Sequence, residues 1–253
     1  MKEGIKMSKS CLGHYCVTQS VCDSCQEKVV CQMVGHVINK GKESPKELDK
    51  FDEEVEGLKK QLEKGEIPQT ISEEILNDYK YAEMRYYFIK YQGFAIITME
   101  WTKDLAEFIG DSKCLEVMAG SGALTKALKN HGVDIRATDN FSWGDKSDNL
   151  WHENGGRYCE VEKLSAVEAI EKYNDVDYIL MSWPPYDEPH GYDALMAMRK
   201  YNPNARLIYI GEGYGGCTAD DNFHEAVEEV DDNRFDVNIP HWRSIYDRIE
   251  LYK

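Results

Sequence analysis

The stretch Lys113-Cys114-Leu115-Glu116-Val117-Met118-Ala119-Gly120-Ser121-Gly122-Ala123-Leu124-Thr125-Lys126-Ala127-Leu128 decides the fold. An apolar run from Cys114 to Met118 reads as a buried strand carrying an acid, Glu116. A turn with Gly120 and Gly122 follows, and a helix over Ala123–Asn130 begins at once. Strand, glycine turn and helix in that order form the first half of a βαβ unit. Glycines let a ligand approach the backbone, and a helix N-terminus offers free N–H groups. Outward from this stretch the alternation continues. Apolar strand-like runs stand at Ile135–Thr138, Tyr178–Met181 and Leu207–Ile210, with helix-like stretches at Ser165–Tyr173 and Tyr192–Lys200. Short buried runs joined by helices predict an α/β fold: a Rossmann-like parallel sheet with helices on both faces, over residues 95–253. Two further runs, Phe235–Ile239 and Ile249–Tyr252, predict an antiparallel hairpin at the end of the sheet.

Open sheets of this kind bind ligands beyond the carboxyl ends of their strands. The second strand ends at Asp139, 19 residues after Gly120, where an acid accepts hydrogen bonds from ribose hydroxyls. A dinucleotide fingerprint has a third glycine where Thr125 stands. The segment Glu116 to Gly122 instead resembles the first motif of class I S-adenosylmethionine (SAM)-dependent methyltransferases, with Met118 in place of that motif's first glycine. The resemblance implies SAM as cofactor, held by Glu116, Met118, Gly120, Gly122 and Asp139. Glu162, just before the helix that starts at Ser165, is the candidate partner for the adenine ring.

After the strand at Tyr178–Met181 comes Ser182-Trp183-Pro184-Pro185-Tyr186-Asp187. Two prolines hold the chain extended and cannot continue a ladder. The segment resembles the fourth motif of amino-group methyltransferases, in which a polar residue precedes Pro-Pro and an aromatic follows; here Trp183 precedes the prolines, with Ser182 upstream. The resemblance makes Ser182, Trp183, Tyr186 and Asp187 the candidate catalytic and acceptor-binding residues, and implies methyl transfer to a nitrogen of a flat or small acceptor. Downstream, Gly211-Glu212-Gly213-Tyr214-Gly215-Gly216-Cys217-Thr218 is a glycine-rich turn, and Thr218, Asp220 and Asp221 cap a helix over Asn222–Val230. From the WPPYD segment to Tyr252 the chain looks like a group of methyltransferase-like proteins from bacteria and phages. Asn140, Trp143, Trp151, Glu212 and His224 are candidates for shaping the pocket. Methyl transfer is an in-line displacement, so positioning of donor and acceptor is the protein's main task.

Ahead of this domain lie two other regions. Residues 41–94 read as a helical linker or cap. Ser44-Pro45 gives a start signal, and Leu48, Phe51, Val55, Leu58 and Leu62 form one apolar stripe. A second helix is expected from Ser72 to about Tyr91. These helices either pack on the domain that follows or form a short coiled-coil contact. Residues 1–40 hold five of the eight cysteines: Cys11, Cys16, Cys22, Cys25 and Cys31. Four thiolates, Cys11, Cys22, Cys25 and Cys31, can close a tetrahedral zinc site, with an iron–sulfur cluster as the second choice. Such a module resembles small Cys modules of phage and bacterial proteins and is expected to serve structure or a protein partner.

Composition limits the classes. With 42% hydrophobic and 30% charged residues, the 253-residue chain can bury a core and stay soluble. The formal charge is −16, of which residues 1–40 carry +2 and the remainder −18. So acidic a body disfavours a nucleic-acid partner, since phosphate binding draws on clustered Lys and Arg. The opening residues lack the apolar run of roughly 7–15 residues of a secretory signal, and no stretch approaches the ~18–20 apolar residues that cross a bilayer. A cytoplasmic protein without membrane contact is therefore expected. The rival class is a non-enzymatic SAM-binding or methyltransferase-like interaction protein acting through its Cys module.

Overall fold

The computed structural model describes residues 45–78, 82–142 and 157–253, with backbone alone for 45–50. In chain order come helices α1 (Pro45–Lys64), α2 (Glu73–Asn77), α3 (Ala82–Tyr91) and α4 (Met99–Ile109). Strand β1 (Lys113–Val117), α5 (Ala123–Asn130), β2 (Asp134–Asp139), β3 (Glu162–Lys163) and α6 (Ala166–Lys172) follow. Then come β4 (Tyr178–Ser182), α7 (His190–Tyr201), β5 (Arg206–Gly211), α8 (Asp221–Ala226) and β6 (Arg248–Tyr252).

The six strands form one sheet in the order β3-β2-β1-β4-β5-β6. All neighbours are parallel except β6, which runs antiparallel to β5 with Leu207 opposite Tyr252 and Gly211 opposite Arg248. This is the expected α/β architecture, and its physical basis is visible in the central strands. Alternate residues feed two cores. Cys114, Tyr178, Leu180, Ile208 and Ile210 face one, shared with α1, α3, α4 and α5. Leu115, Val117, Ile179, Met181, Leu207 and Tyr209 face the other, shared with α6, α7 and Phe223 of α8. Strands buried on both faces have no polar side to alternate, so they read as continuous apolar runs.

The apolar stripe of α1 closes on this body. Val55, Leu58 and Leu62 belong to the same buried cluster as Trp101, Leu105 and the sheet. The expected single helix from Ser72 to Tyr91 is instead two, α2 and α3, with residues 79–81 outside the described set. Helix α2 stops because Asp78 is extended (φ −93°, ψ 128°). Asn77 turns its side-chain amide onto the Glu73 carbonyl, a local bond that competes with helix continuation.

The C-terminal hairpin does not form. Residues 235–239 carry no ladder, and β6 pairs with β5. Phe235, Val237 and Ile239 alternate because they lie with one side against the core, Phe235 packing edge-on to Phe108 at 4.8 Å. Helix α8 is also shorter than expected, ending at Ala226. No helix among the described residues is long and apolar enough to cross a membrane.

Candidate functional site

Strand order reverses between β1, which continues to β2 and β3, and β4, which leads to β5. At the carboxyl ends of these strands lies a cavity of about 220 Å³, partly open to solvent. Its floor is the glycine turn, and its walls come from the ends of β2 and β4, the starts of α6 and α7, and residues 92–97.

The glycine turn is held by two carboxylates. Glu116 is buried, and its Oε2 accepts from the Thr125 backbone N–H at 3.0 Å and from the Thr125 hydroxyl at 2.6 Å. Thr125 lies in the first turn of α5, where N–H groups lack intrahelical acceptors. The residue at the cap position, Gly122, has no side chain to supply one, so Glu116 caps the helix from the neighbouring strand. Asp139 does the complementary task. Its Oδ2 accepts from Gly120 N–H at 2.8 Å and its Oδ1 from Phe141 N–H at 2.7 Å, tying the turn after β1 to the turn after β2. Burial raises both carboxyls above their ordinary range, Glu116 to about 7, against the hydrogen bonds that lower them.

A pH dependence follows for Glu116. Its folded pKa is raised from 4.5, so the native state holds the proton more tightly than the unfolded chain. That contribution is complete below about pH 4.5 and is lost as pH rises through about 7. Glu116→Gln keeps an acceptor oxygen for Thr125 and removes the ionisation. Its stability relative to the native protein is expected to rise by on the order of 2–3 kcal/mol between pH 4 and pH 8. Urea unfolding of both proteins at the two pH values measures this, and a constant difference would contradict it.

Met118 (φ 55°) and Trp183 (φ 51°), directly after β1 and β4, take left-handed backbone, as do Phe141 (φ 55°) and Asp187 (φ 55°) in the loops that follow β2 and β4. For large side chains this conformation is costly, and such strain concentrates where a site is being shaped. The position where the resemblance has a glycine, Met118, is thus one where glycine is the natural occupant. Gly122 is also left-handed (φ 74°), but it does not face the cavity. A Cβ there would lie 2.7 Å from Cys159 Sγ and 3.0 Å from Val161 Cγ2, so this glycine serves the packing of α5 against the chain entering β3.

The segment after β4 is stitched to the end of β5. Trp183 N–H donates to the Ile210 carbonyl at 2.8 Å, Ala219 N–H to Pro184 at 3.1 Å and Asp187 N–H to Ala219 at 3.0 Å. Ser182, Trp183 and Pro185 line the cavity, and the Trp183 ring packs against Phe94 at 5.3 Å. Tyr186 and Asp187 do not line it; Tyr186 is exposed on the outer side. The aromatic wall is made by Trp183 with Phe94, in place of the expected Tyr186.

Glu162 does not line the cavity. Its carboxylate is engaged outside the cavity, by Lys172 Nζ at 2.5 Å and the Tyr173 hydroxyl at 2.6 Å. The wall at that point is Ser165, Ala166 and Val167, at the start of α6. Glu212 is buried but braces loops, its two oxygens accepting from Cys217 N–H at 2.9 Å and Tyr246 N–H at 3.0 Å. His224 is bonded through Nε2 to the Thr218 carbonyl at 2.9 Å. Asn140 does line the cavity, while Trp143 and Trp151 lie outside the described residues. So do Cys11, Cys22, Cys25 and Cys31. Among the described residues no group of three or more His, Cys, Asp or Glu side chains could hold a metal ion.

Residues 92–97 form a wall that the sequence did not reveal. Gln92 is buried and closes its own turn, donating to the Ile97 carbonyl at 2.9 Å and accepting from Ile97 N–H at 2.7 Å. Its carbonyl receives the Ser121 hydroxyl, which joins this wall to the glycine turn. Asp193 and His190, in the first turn of α7, were also unforeseen. Of the charged residues, Glu116, Asp139 and Asp193 line the cavity; among the described residues no lysine or arginine does.

No family model and no curated protein matches the chain. Solved structures are similar in part. MtNAS in complex with MTA and tNA has 15% identity over 79% of this chain and 69% of its own, with a TM-score of 0.40. TehB from Haemophilus influenzae has 15% identity over 66% of this chain and 65% of its own, with a TM-score of 0.40. A TehB-like SAM-dependent methyltransferase from Corynebacterium glutamicum has 14% identity over 68% of this chain and 96% of its own, with a TM-score of 0.42. At these values none of them assigns a role to any residue of this chain.

Proposed function

We propose that this protein is a SAM-dependent methyltransferase acting on a nitrogen of a flat or small acceptor. The observation that carries the reading is the charge of the cavity at the sheet's switch point. Glu116, Asp139 and Asp193 line it, with no lysine or arginine among the described residues. A dinucleotide's pyrophosphate would sit at the N-terminus of α5, where Glu116 already accepts from the Thr125 N–H and no lysine or arginine among the described residues adds a counter-charge, which argues against a dinucleotide. A ligand carrying a sulfonium and an ammonium suits the same wall, and Asp139 at the end of β2 would accept from its ribose hydroxyls. When bound, SAM supplies an electrophilic methyl group.

The chain's own residues do the rest. Gly120 lets the turn approach the ligand, Asp139 and Glu116 hold that turn in place, and the apolar face of Trp183 and Phe94 presents a flat surface to the acceptor. Ser182 sits in the cavity wall beside them, with a hydroxyl able to accept from an amine. Enclosure between these walls favours an in-line arrangement and limits water. The proposal extends to a four-thiolate zinc site at Cys11, Cys22, Cys25 and Cys31, drawn from spacing alone, with an iron–sulfur cluster as the alternative occupant.

Calorimetry with SAM, with S-adenosylhomocysteine as competitor and NAD as control, tests the cofactor. We expect binding of the first two at one site and no heat from NAD; no heat from SAM would remove the reading. A tritiated-methyl assay over DNA, RNA, protein and small-amine pools then separates an enzyme from a binder that keeps SAM without turnover.

A further inference from the structure

Two buried polar groups behind the aromatic wall lack hydrogen bonds. The Trp183 indole Nε1 has no partner in hydrogen-bond geometry, and neither carboxyl oxygen of Asp247 has one. Both residues are buried, Asp247 at 6% exposure and Trp183 at 8%. Native interiors seldom leave such groups unmatched, and these two are complementary: a donor just after β4 and an acceptor just before β6, the strands on either side of β5. The indole N–H is close enough to favour the ionised carboxyl, though short of a well-formed bond.

The backbone explains why the pair is poised. Trp183 is anchored through its N–H to Ile210 and held at a left-handed φ of 51°, so its ring direction is set by what surrounds the indole. One ring face lies on Phe94 at 5.3 Å, and the residue lines the cavity. Asp247 immediately precedes β6, beside the loop that Glu212 braces through Tyr246.

We propose that Asp247 is a positioning residue: its carboxyl takes the Trp183 indole N–H and fixes the ring that walls the acceptor side of the cavity. The role of that wall rests on the methyltransferase reading above; the link between Asp247 and Trp183 does not. The titratable and charged groups facing Asp247 are Glu212, from the end of β5, Arg85, on α3, and the Tyr209 phenol of β5, which the same carboxylate helps to keep protonated. Burial, and after it Glu212, raises the Asp247 carboxyl to about 7, while the indole N–H and Arg85 act in the opposite direction. Near neutral pH the group therefore passes between a carboxylate, which draws the N–H in, and a neutral acid, which holds it weakly.

The test is a pH titration of the indole ¹⁵N–¹H resonance of Trp183 in the full chain, the signal being identified by its loss in Trp183→Phe. A shift with a midpoint near pH 7, absent in Asp247→Asn, is the expected result. A resonance flat across pH 5–9 in the native protein, or a titration that survives in Asp247→Asn, would overturn the proposal. Should Asp247→Asn fail to fold, the Asp247 ¹³Cγ titration in native protein and Trp183→Phe decides instead. Loss of the donor must move that midpoint upward, and an unchanged midpoint counts against the link. S-adenosylhomocysteine binding to the native protein is measured on the same samples. Its absence would strike the methyltransferase reading alone, since the indole titration does not use the cofactor.

Discussion

Gly122→Ala is expected to destabilise the protein by about 2–4 kcal/mol, far beyond what a left-handed residue costs by itself. Gly122 has φ 74°, so any side chain meets a backbone penalty of ~1 kcal/mol. Its Cβ would also stand 2.7 Å from Cys159 Sγ and 3.0 Å from Val161 Cγ2. Neither neighbour can swing away freely, because Cys159 is half-buried with its Sγ directed to the Gly122 carbonyl at 3.4 Å, and Val161 is buried. Gly132→Ala is the control. Its φ is 93°, but nothing lies within 4 Å of the added carbon, so only the backbone penalty applies. Urea denaturation of both variants separates strain from collision. Equal losses would mean that the contact with Cys159 relaxes at no cost. Gly122→Ala combined with Cys159→Ala is expected to recover part of the loss, since the closest atom is then gone.

What the sequence reveals about this region follows from how each residue earns its place. The central strands are legible because both faces are buried, and the turn after β1 is legible because left-handed positions need glycine. Gly122 itself is legible as a glycine but not in its purpose, which depends on Cys159 arriving from 37 residues away. The Gln92 wall is invisible for a similar reason: its side chain bonds to the Ile97 backbone, and an amide satisfied by backbone leaves no pattern in sequence. Glu162 misleads because the third strand is two residues long, so one step beyond it the chain has turned and Ser165 to Val167 face the cavity instead. Phe235, Val237 and Ile239 mislead because period-two burial signals an extended segment lying on a core, with or without a ladder. Tyr186 is an acceptor-binding candidate only through the resemblance, and Trp183 and Pro185 line the cavity while Tyr186 does not.

Asp139 separates bracing from ligand binding most sharply. Both its oxygens accept from backbone N–H groups, Gly120 on one side and Phe141 on the other. Asparagine has one acceptor and one donor end, so either orientation turns an NH₂ group onto a backbone N–H. Asp139→Asn therefore loses one charge-assisted bond, weakens the other and introduces a donor–donor clash, a cost of about 2–3 kcal/mol in stability. If the carboxylate also accepts from a ribose, S-adenosylhomocysteine affinity should fall by roughly 100-fold or more, ~2.7 kcal/mol. Binding is measured on folded protein below the unfolding transition, so the loss of global stability does not itself lower the affinity. Asp193→Asn provides the comparison: it removes a charge from the cavity wall at the start of α7, where no backbone tie depends on it among the bonds described. An Asp139→Asn protein that unfolds earlier but binds S-adenosylhomocysteine as tightly as the native chain would make Asp139 a loop brace only. A joint loss, with Asp193→Asn folding normally and binding a few-fold more weakly, is the outcome the acidic cavity predicts.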